Sequence, residues 1–168
     1  DVGCGHGWST VFMAKSFPKS QFVGYDFHPS SIDEASKHAA EHGVGANCRF
    51  EVGAAKDYAG TGFDLVTFFD CLHDMGDPQG AAAHVRQSLK PDGSWMIVEP
   101  MAGDSLAENL NPVGRMYYSA STMICTPGSK AQEVGLALGA QAGEVRLRTV
   151  LGEAGFTRVR RAAETPFN

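Results

Sequence analysis

Residues 1–7 read Asp1-Val2-Gly3-Cys4-Gly5-His6-Gly7, DVGCGHG, and this stretch decides the fold. Three glycines alternate with Val2, Cys4 and His6, and Trp8 to Phe17 reads as a helix behind them. Glycines let the chain turn tightly out of a strand and let a ligand lie close to the main chain. A strand end, a glycine-rich turn and a helix, in that order, predict a nucleotide-type cofactor loop in an α/β domain.

The spacing separates two cofactor classes. A dinucleotide fingerprint GxGxxG needs a third small residue three positions after Gly5, where helix and strand pack closely and the pyrophosphate sits. Trp8 occupies that position, so an NAD(P)-dependent oxidoreductase on the same architecture is the disfavoured alternative. Gln21 to Tyr25 reads as a buried strand ending at Asp26, nineteen residues beyond Gly7. That is close to the roughly 20 expected of an acid that accepts hydrogen bonds from ribose hydroxyls. Loop and acid together point to an adenosine ligand.

Further on, apolar and polar segments keep a βα rhythm. The first helix stops at Phe17-Pro18, because proline removes a backbone donor and biases its predecessor away from helix. Pro29, Ser30 and Ser31 open a second helix, with Ser30 and Asp33 or Ser31 and Glu34 serving its N-terminus and Gly43 its stop. Cys48 to Val52 and Phe63 to Phe69 read as strands. Asp77-Pro78 begins a helix through Leu89, and Lys90-Pro91-Asp92-Gly93 turns the chain into a strand from Ser94 to Glu99. Leu147, Val150, Leu151 and Ala154 mark a last helix closed by Gly155, Phe156 to Ala162 a sixth strand, and Thr165 to Asn168 the start of an antiparallel seventh. The expected fold is a doubly wound, Rossmann-like, mostly parallel α/β sheet, cut at both ends. A single domain accounts for residues 1–168, its core at 1–100 and 144–168. Between them, residues 101–143 lose the pattern and read as a substrate lid, in which Tyr117, Tyr118 and Met123 serve as apolar contacts or as core packing.

GxGxG with Asp1 just before it resembles motif I of the class I S-adenosylmethionine-dependent methyltransferases. The run FDLVTFFDCLHDM, then a helix, LKPDG, a strand and EP resembles the second half of a small-molecule methyltransferase core, so the resemblance covers Asp1 to Pro100. It implies S-adenosylmethionine as cofactor and a small-molecule methyl acceptor as partner, with Asp1, Gly3, Cys4, Gly5, Gly7, Asp26, Phe27, Asp70 and Cys71 at the cofactor. Members of the class commonly place an Asp after the glycine that ends strand three, but Ala54 stands there. Ala55 through its backbone N–H, or Asp57 through its side chain, takes the adenine instead, and Asp57 serves equally well as a loop cap. His73 and Glu99 match the histidine base and orienting glutamate of the caffeate-type O-methyltransferases, with Met75 in place of that motif's tryptophan. A neutral imidazole takes the proton of an attacking hydroxyl while a carboxylate fixes its tautomer. The same histidine can also simply line the cofactor pocket. AENLNPVGRMYYSAS, and the chain on through ETPFN, resembles actinobacterial methyltransferases that carry a winged-helix segment ahead of the catalytic domain. An S-adenosylmethionine sensor serving such a segment is the non-catalytic alternative.

At 168 residues, 43% hydrophobic and 20% charged, the chain suits one globular domain. Its net charge of -5 offers no footprint for nucleic acid or an anionic membrane, and Arg146, Arg148, Arg158, Arg160 and Arg161 read as a solvated face. With no long apolar run and four widely spaced cysteines, a cytoplasmic protein with reduced thiols is expected, and a homodimer stays open. His38-Ala39-Ala40-Glu41-His42 matches the HxxEH pattern of the inverted zinc peptidases. No downstream helix offers a third ligand, so the pair reads as a helix face and no metal is expected.

Overall fold

The computed structural model describes all residues 1–168, which divide into two compact units. One comprises Asp1–Phe69 and Ser88–Met96, the other Asp70–Gln87 and Ile97–Asn168. Six helices and four strands follow in chain order: α1 Trp8–Ser16, β1 Phe22–Asp26, α2 Pro29–Glu41, β2 Cys48–Val52, β3 Phe63–Phe69, α3 Pro78–Ser88, β4 Leu89–Val98, α4 Pro112–Ala120, α5 Thr126–Lys130 and α6 Gly143–Glu153.

In the first unit β1 and β2 run parallel, from Phe22 beside Cys48 to Asp26 beside Val52. Val2 bridges Tyr25 on one side and Phe68 on the other, both in parallel sense, and β3 pairs with β4. The order across the sheet is thus β2, β1, Val2, β3, β4. Val2 to β1 and β1 to β2 cross over through α1 and α2, as a parallel pair requires, and β3 follows β2 through a loop. The carboxyl ends of Val2, β1 and β3 all lead into loops, where ligands bind in open α/β sheets.

α1 and α2 bury Val11, Ala14 and Ala39 against Val44 and Cys48, with Phe22 and Phe50 packed around them. Phe50 explains two glycines. A Cβ on Gly24 would lie 2.4 Å from the Phe50 ring and one on Gly7 2.5 Å from it, so the ring fills the space those residues leave. α2 ends as expected: Gly43 takes φ +68, its N–H bonds the Ala40 carbonyl, and the Val44 N–H bonds that of Ala39. Its start differs from the predicted capping box. His28 is the N-cap and makes no side-chain cap bond, Pro29 stands at the first helical position, and the Asp26 carboxylate holds the His28 N–H at 2.9 Å.

In the second unit Leu72, Ala81, Ala82 and Val85 are almost wholly buried, and Val150 and Leu151 bury one face of α6. Asp77 caps α3 as expected, accepting from the Gly80 N–H at 2.8 Å. Residues 101–143 are more ordered than their composition predicts. Asn111 caps α4 through the Gly114 N–H, and α4 runs through a π-helical turn, Ser121–Cys125, straight into α5.

Two strand expectations are corrected. β4 begins at Leu89, not Ser94, so Lys90 to Gly93 are extended rather than a turn, and Lys90 reaches Asp64 beside it. Phe156 to Ala162 forms no strand, nor does Thr165 to Asn168. A strand exists only through a ladder partner. Instead the Val159 carbonyl accepts from Arg148, and Arg161 bridges Glu144 and Glu164. No helix is long and apolar enough to cross a membrane.

Candidate functional site

In the first unit the glycine loop is held open by hydrogen bonds that leave one side of it bare. Gly3, Gly5 and Gly7 all have positive φ, of 70°, 52° and 77°. The N–H groups of Gly3 and Cys4 share the Tyr25 carbonyl, and the Gly7 N–H bonds that of Cys4. A Cβ built on Gly5 meets nothing within 4 Å, whereas one on Gly7 would strike Phe50 and Ala35. Gly7 is therefore small for packing, and Gly5 is small beside open space.

Two acids frame this loop and differ in what they have left to give. Asp1 accepts from Ser9 Oγ at 2.5 Å, Thr10 Oγ1 at 2.6 Å and Thr67 Oγ1 at 3.1 Å, so its carboxylate ties α1 and β3 to the loop. Asp26 accepts the Gly5 N–H on Oδ2 and the His28 N–H on Oδ1, each at 2.9 Å. Each oxygen keeps a further lone pair, enough for the two hydroxyls of a ribose. That capacity, with the bare face of Gly5, fits an adenosine-bearing cofactor.

The other candidates in this unit divide between backbone and surface. The Cys4 side chain is buried, and burial first, then the Asp26 charge, pushes its thiol up to about 12, so only its main chain is available to a ligand. Phe27 is exposed beside the His28 ring. Ala55 is half-buried, while exposed Asp57 accepts from the Ala54 N–H at 3.2 Å, which is the loop-cap geometry. His38 and His42 pack on Trp8, stacked at 4.2 Å and edge-on at 5.3 Å, and His38 Nδ1 meets the His6 carbonyl. The HxxEH match is accounted for by this aromatic cluster.

In the second unit the residues after β3 converge on His73. Leu72–Asp74 makes one 3-10 turn, and its first N–H, on Leu72, donates to Glu99 Oε1 at 2.9 Å. The other Glu99 oxygen lies 2.5 Å from His73 Nδ1. Both side chains are more than nine-tenths buried, so Glu99 fixes the ring and keeps the proton on Nδ1. Nε2 then faces Asp74 Oδ1 at 3.3 Å. Burial pulls the His73 pKa down, but the Glu99 bond and the charges of Glu99, Asp74 and Asp70 outweigh it, and the net direction is up.

Asp70 sits at φ +49, a strained value for a residue other than glycine, and burial raises its pKa. Its carboxylate accepts from Asn168 Nδ2 at 3.0 Å. Cys71 is half-buried at the N-cap of the 3-10 turn. Asp70 and His73 line a cavity of about 250 Å³ with Pro100, Tyr117, Ala120, Cys125 and Ala140. A larger hollow of about 660 Å³ lies among Met101–Gly103, Glu108, Asn109, Asn111, Val113 and Glu164–Pro166, and no histidine or cysteine lines it. The smaller cavity is the one that reaches the chemistry.

The sequence places Asp74 beside His73 in the HDM stretch but assigns it no role, and it gives Cys125 none. One donor atom from each of His73, Asp74 and Cys125 lies within 4.8 Å of the other two, although α3 and β4 intervene in the chain. The Cys125 thiol is pushed up to about 11 by burial and by the neighbouring Asp74 carboxylate. No local pattern announces this, since the π-helical turn that places Cys125 has no sequence signature here.

Residues 1–155 match the model of a family described as a methyltransferase domain. The chain is 31% identical over 97 residues to a ubiquinone biosynthesis O-methyltransferase of Parvibaculum lavamentivorans, covering 58% of this chain and 38% of that protein. It is 30% identical over 120 residues to the uncharacterized methyltransferase YcgJ of Bacillus subtilis, covering 69% and 46%. The chain thus spans less than half the length of these curated relatives. Among solved structures, PigF with SAH superposes with a TM-score of 0.73 at 16% identity, over 95% of this chain and 45% of that one. YcgJ superposes with a TM-score of 0.65 at 23% identity, over 92% and 59%. These likenesses show the fold, with its glycine loop at the carboxyl edge of a parallel sheet. By the family match over nearly its whole length, the chain belongs to the class I methyltransferase domain family, whose cofactor is S-adenosylmethionine.

Proposed function

We propose that the protein transfers a methyl group to a hydroxyl of a small-molecule acceptor, with His73 as the general base. The observation that carries the reading is the buried His73–Glu99 pair at 2.5 Å, on the wall of a cavity of about 250 Å³. S-adenosylmethionine, when bound, supplies an electrophilic sulfonium methyl. Gly5 and Asp26 would hold its nucleoside, and Ala55 or Asp57 its adenine. At His73, Nε2 would take the proton of the acceptor's hydroxyl, while Nδ1 keeps its proton and shares it with Glu99. The apolar lining from Pro100, Ala120, Ala140 and the Tyr117 ring excludes water from that exchange.

The ubiquinone biosynthesis O-methyltransferase among the relatives supports an oxygen acceptor. Residues 101–143 act as the acceptor's lid, since Tyr117, Ala120, Cys125 and Ala140 all come from them. The likeness of AENLNPVGRMYYSAS to methyltransferases with an upstream winged-helix segment supports a small-molecule enzyme of that kind. Transfer of labelled methyl to a panel of phenols, amines and carboxylates tests the reading. A positioned base contributes about 100-fold to 10,000-fold, so His73→Gln should lower turnover on a hydroxyl by that factor and leave cofactor affinity nearly constant. Full turnover in that variant would make His73 a wall of the pocket and point to an amine or carbon acceptor.

A further inference from the structure

We propose that His73, Asp74 and Cys125 form a binding site for one divalent transition-metal ion of the zinc class. Nitrogen, oxygen and sulfur donors from three residues lie within 4.8 Å of one another, and His73 and Cys125 are both buried. Zinc takes such donors at about 2.0 to 2.3 Å, which sets the edges of its tetrahedron at about 3.3 to 3.7 Å. The 3.3 Å between His73 Nε2 and Asp74 Oδ1 is already an edge of that length. A small approach of Cys125 Sγ completes a face.

Two further features single out a cation. Glu99 holds Nδ1, so Nε2 is the ring atom turned to Asp74 Oδ1, a buried oxygen, and the Cys125 thiol lies against the same carboxylate. Nε2 and that carboxylate attract when a positive centre lies between them, either the proton of a charged imidazole or a metal ion that displaces it. Glu99 in turn supplies the carboxylate on the far nitrogen that metal-bound histidines characteristically have, which fixes the tautomer and raises ligand basicity. Asp70 adds a negative charge to the same cavity, and no lysine or arginine lines it. His73 and Cys125 both line that cavity, so a water or a ligand held there could complete the coordination. On binding, the Cys125 S–H bond breaks, the proton leaves to solvent and the thiolate electron pair bonds the metal.

The site rests on donor geometry and not on the methyl-transfer reading. A metal on Nε2 would take the lone pair that the reading gives to the acceptor's proton, so the two uses of His73 exclude each other in one molecule. The test is optical and needs no turnover. The full-length protein, stripped with chelator and kept reduced, is titrated with Co²⁺ and then with Zn²⁺. Expected are a near-ultraviolet sulfur-to-cobalt charge-transfer band and intense visible bands of a tetrahedral ion, saturating at one equivalent and abolished by Zn²⁺. Cys125→Ser should lose the charge-transfer band, Asp74→Asn should weaken Co²⁺ at least tenfold, and Cys71→Ser should change neither. Absence of the band in folded wild-type protein, or its persistence in Cys125→Ser, would overturn the proposal. Circular dichroism of each variant certifies the fold.

Discussion

Gly5 and Gly7 occupy the same loop, have the same backbone handedness, and should respond differently to the same added methyl group. Both φ values are left-handed, so alanine at either costs about 1 to 2 kcal/mol of backbone strain. At Gly7 the new Cβ would also lie 2.5 Å from Phe50 Cζ and 2.7 Å from Ala35 Cβ, both in the packed core beneath α1 and α2. Overpacking of that kind adds about 1 to 3 kcal/mol. Gly7→Ala should therefore lose about 2 to 5 kcal/mol of stability, a fall in Tm of roughly 5 to 20 °C for a chain of this size. At Gly5 nothing lies within 4 Å, so only the strain applies and the Tm should drop by a few degrees. There the methyl projects into the space where the cofactor meets the main chain, and a clash of the same 1 to 3 kcal/mol would weaken binding about 5-fold to 150-fold. Thermal unfolding followed by circular dichroism, and calorimetric titration with S-adenosylhomocysteine well below the lower Tm, separate the two effects. If Gly5→Ala binds like wild type, or Gly7→Ala is no less stable than Gly5→Ala, the division of the loop into a packing glycine and a ligand glycine is wrong.

Other perturbations probe the remaining parts. Asp26→Ala should weaken S-adenosylhomocysteine by about 2 to 4 kcal/mol in calorimetry, because hydrogen bonds to a charged group contribute roughly 1.5 to 3 each and losses within one site do not add fully; unchanged affinity would move the ribose contact elsewhere. Glu99→Gln retains an acceptor for the Leu72 N–H but loses the charge on His73 Nδ1, so its turnover should lie between those of wild type and His73→Gln. A Glu99→Gln rate below that of His73→Gln would mean that Glu99 acts other than through the histidine. His38→Ala should leave Co²⁺ binding unchanged by absorbance and cost the stacking on Trp8 and the contact with the His6 carbonyl, about 1 to 3 kcal/mol of stability. Loss of a bound ion in that variant would move the metal to the α2 histidines.

The parts of this molecule legible in its sequence are those fixed by local chemistry. The glycine loop, Asp26 at the end of β1, the Gly43 stop of α2 and the Asp77 cap of α3 each depend on residues a few positions apart, and each stands where the sequence places it. The pairing of His73 with Glu99 was legible for a different reason, namely that family resemblance carries long-range geometry that spacing cannot. Phe156 to Ala162 follows the last helix where the βα rhythm expects a strand, but a strand needs a ladder partner, and that rhythm contains no information about one. The α2 cap differs because the helix starts earlier, at Pro29 behind His28, so Ser30 and Ser31 lie inside its first turn and the Ser31 N–H bonds the His28 carbonyl. Cys125 was invisible as a neighbour of His73, since its position depends on a π-helical turn and on the long excursion through α4.

Four acids stand at or beside strand ends in this chain, and their unused hydrogen-bonding capacity assigns their work better than their identity does. Asp1 accepts from three hydroxyls, and a carboxylate so occupied ties elements together. Asp26 has one backbone donor on each oxygen, which orients it rigidly while leaving a lone pair per oxygen for a ligand. Glu99 is committed on both oxygens, to Leu72 and to His73, so it acts through the histidine. Asp70 has a single side-chain donor, Asn168, and sits in a strained backbone conformation on the cavity wall, the state in which a carboxylate can answer a ligand's charge. Moving along the series from Asp1 to Asp70, alanine substitution should therefore shift its effect from stability towards ligand binding and turnover. Asp1→Ala, which strips the partner from three hydroxyls, should cost about 2 to 5 kcal/mol in chemical denaturation, whereas Asp70→Ala, which loses only the exposed Asn168 bond and keeps a Cβ at the same left-handed φ, should cost less. If Asp70→Ala unfolds more readily than Asp1→Ala, the capacity argument fails at both ends.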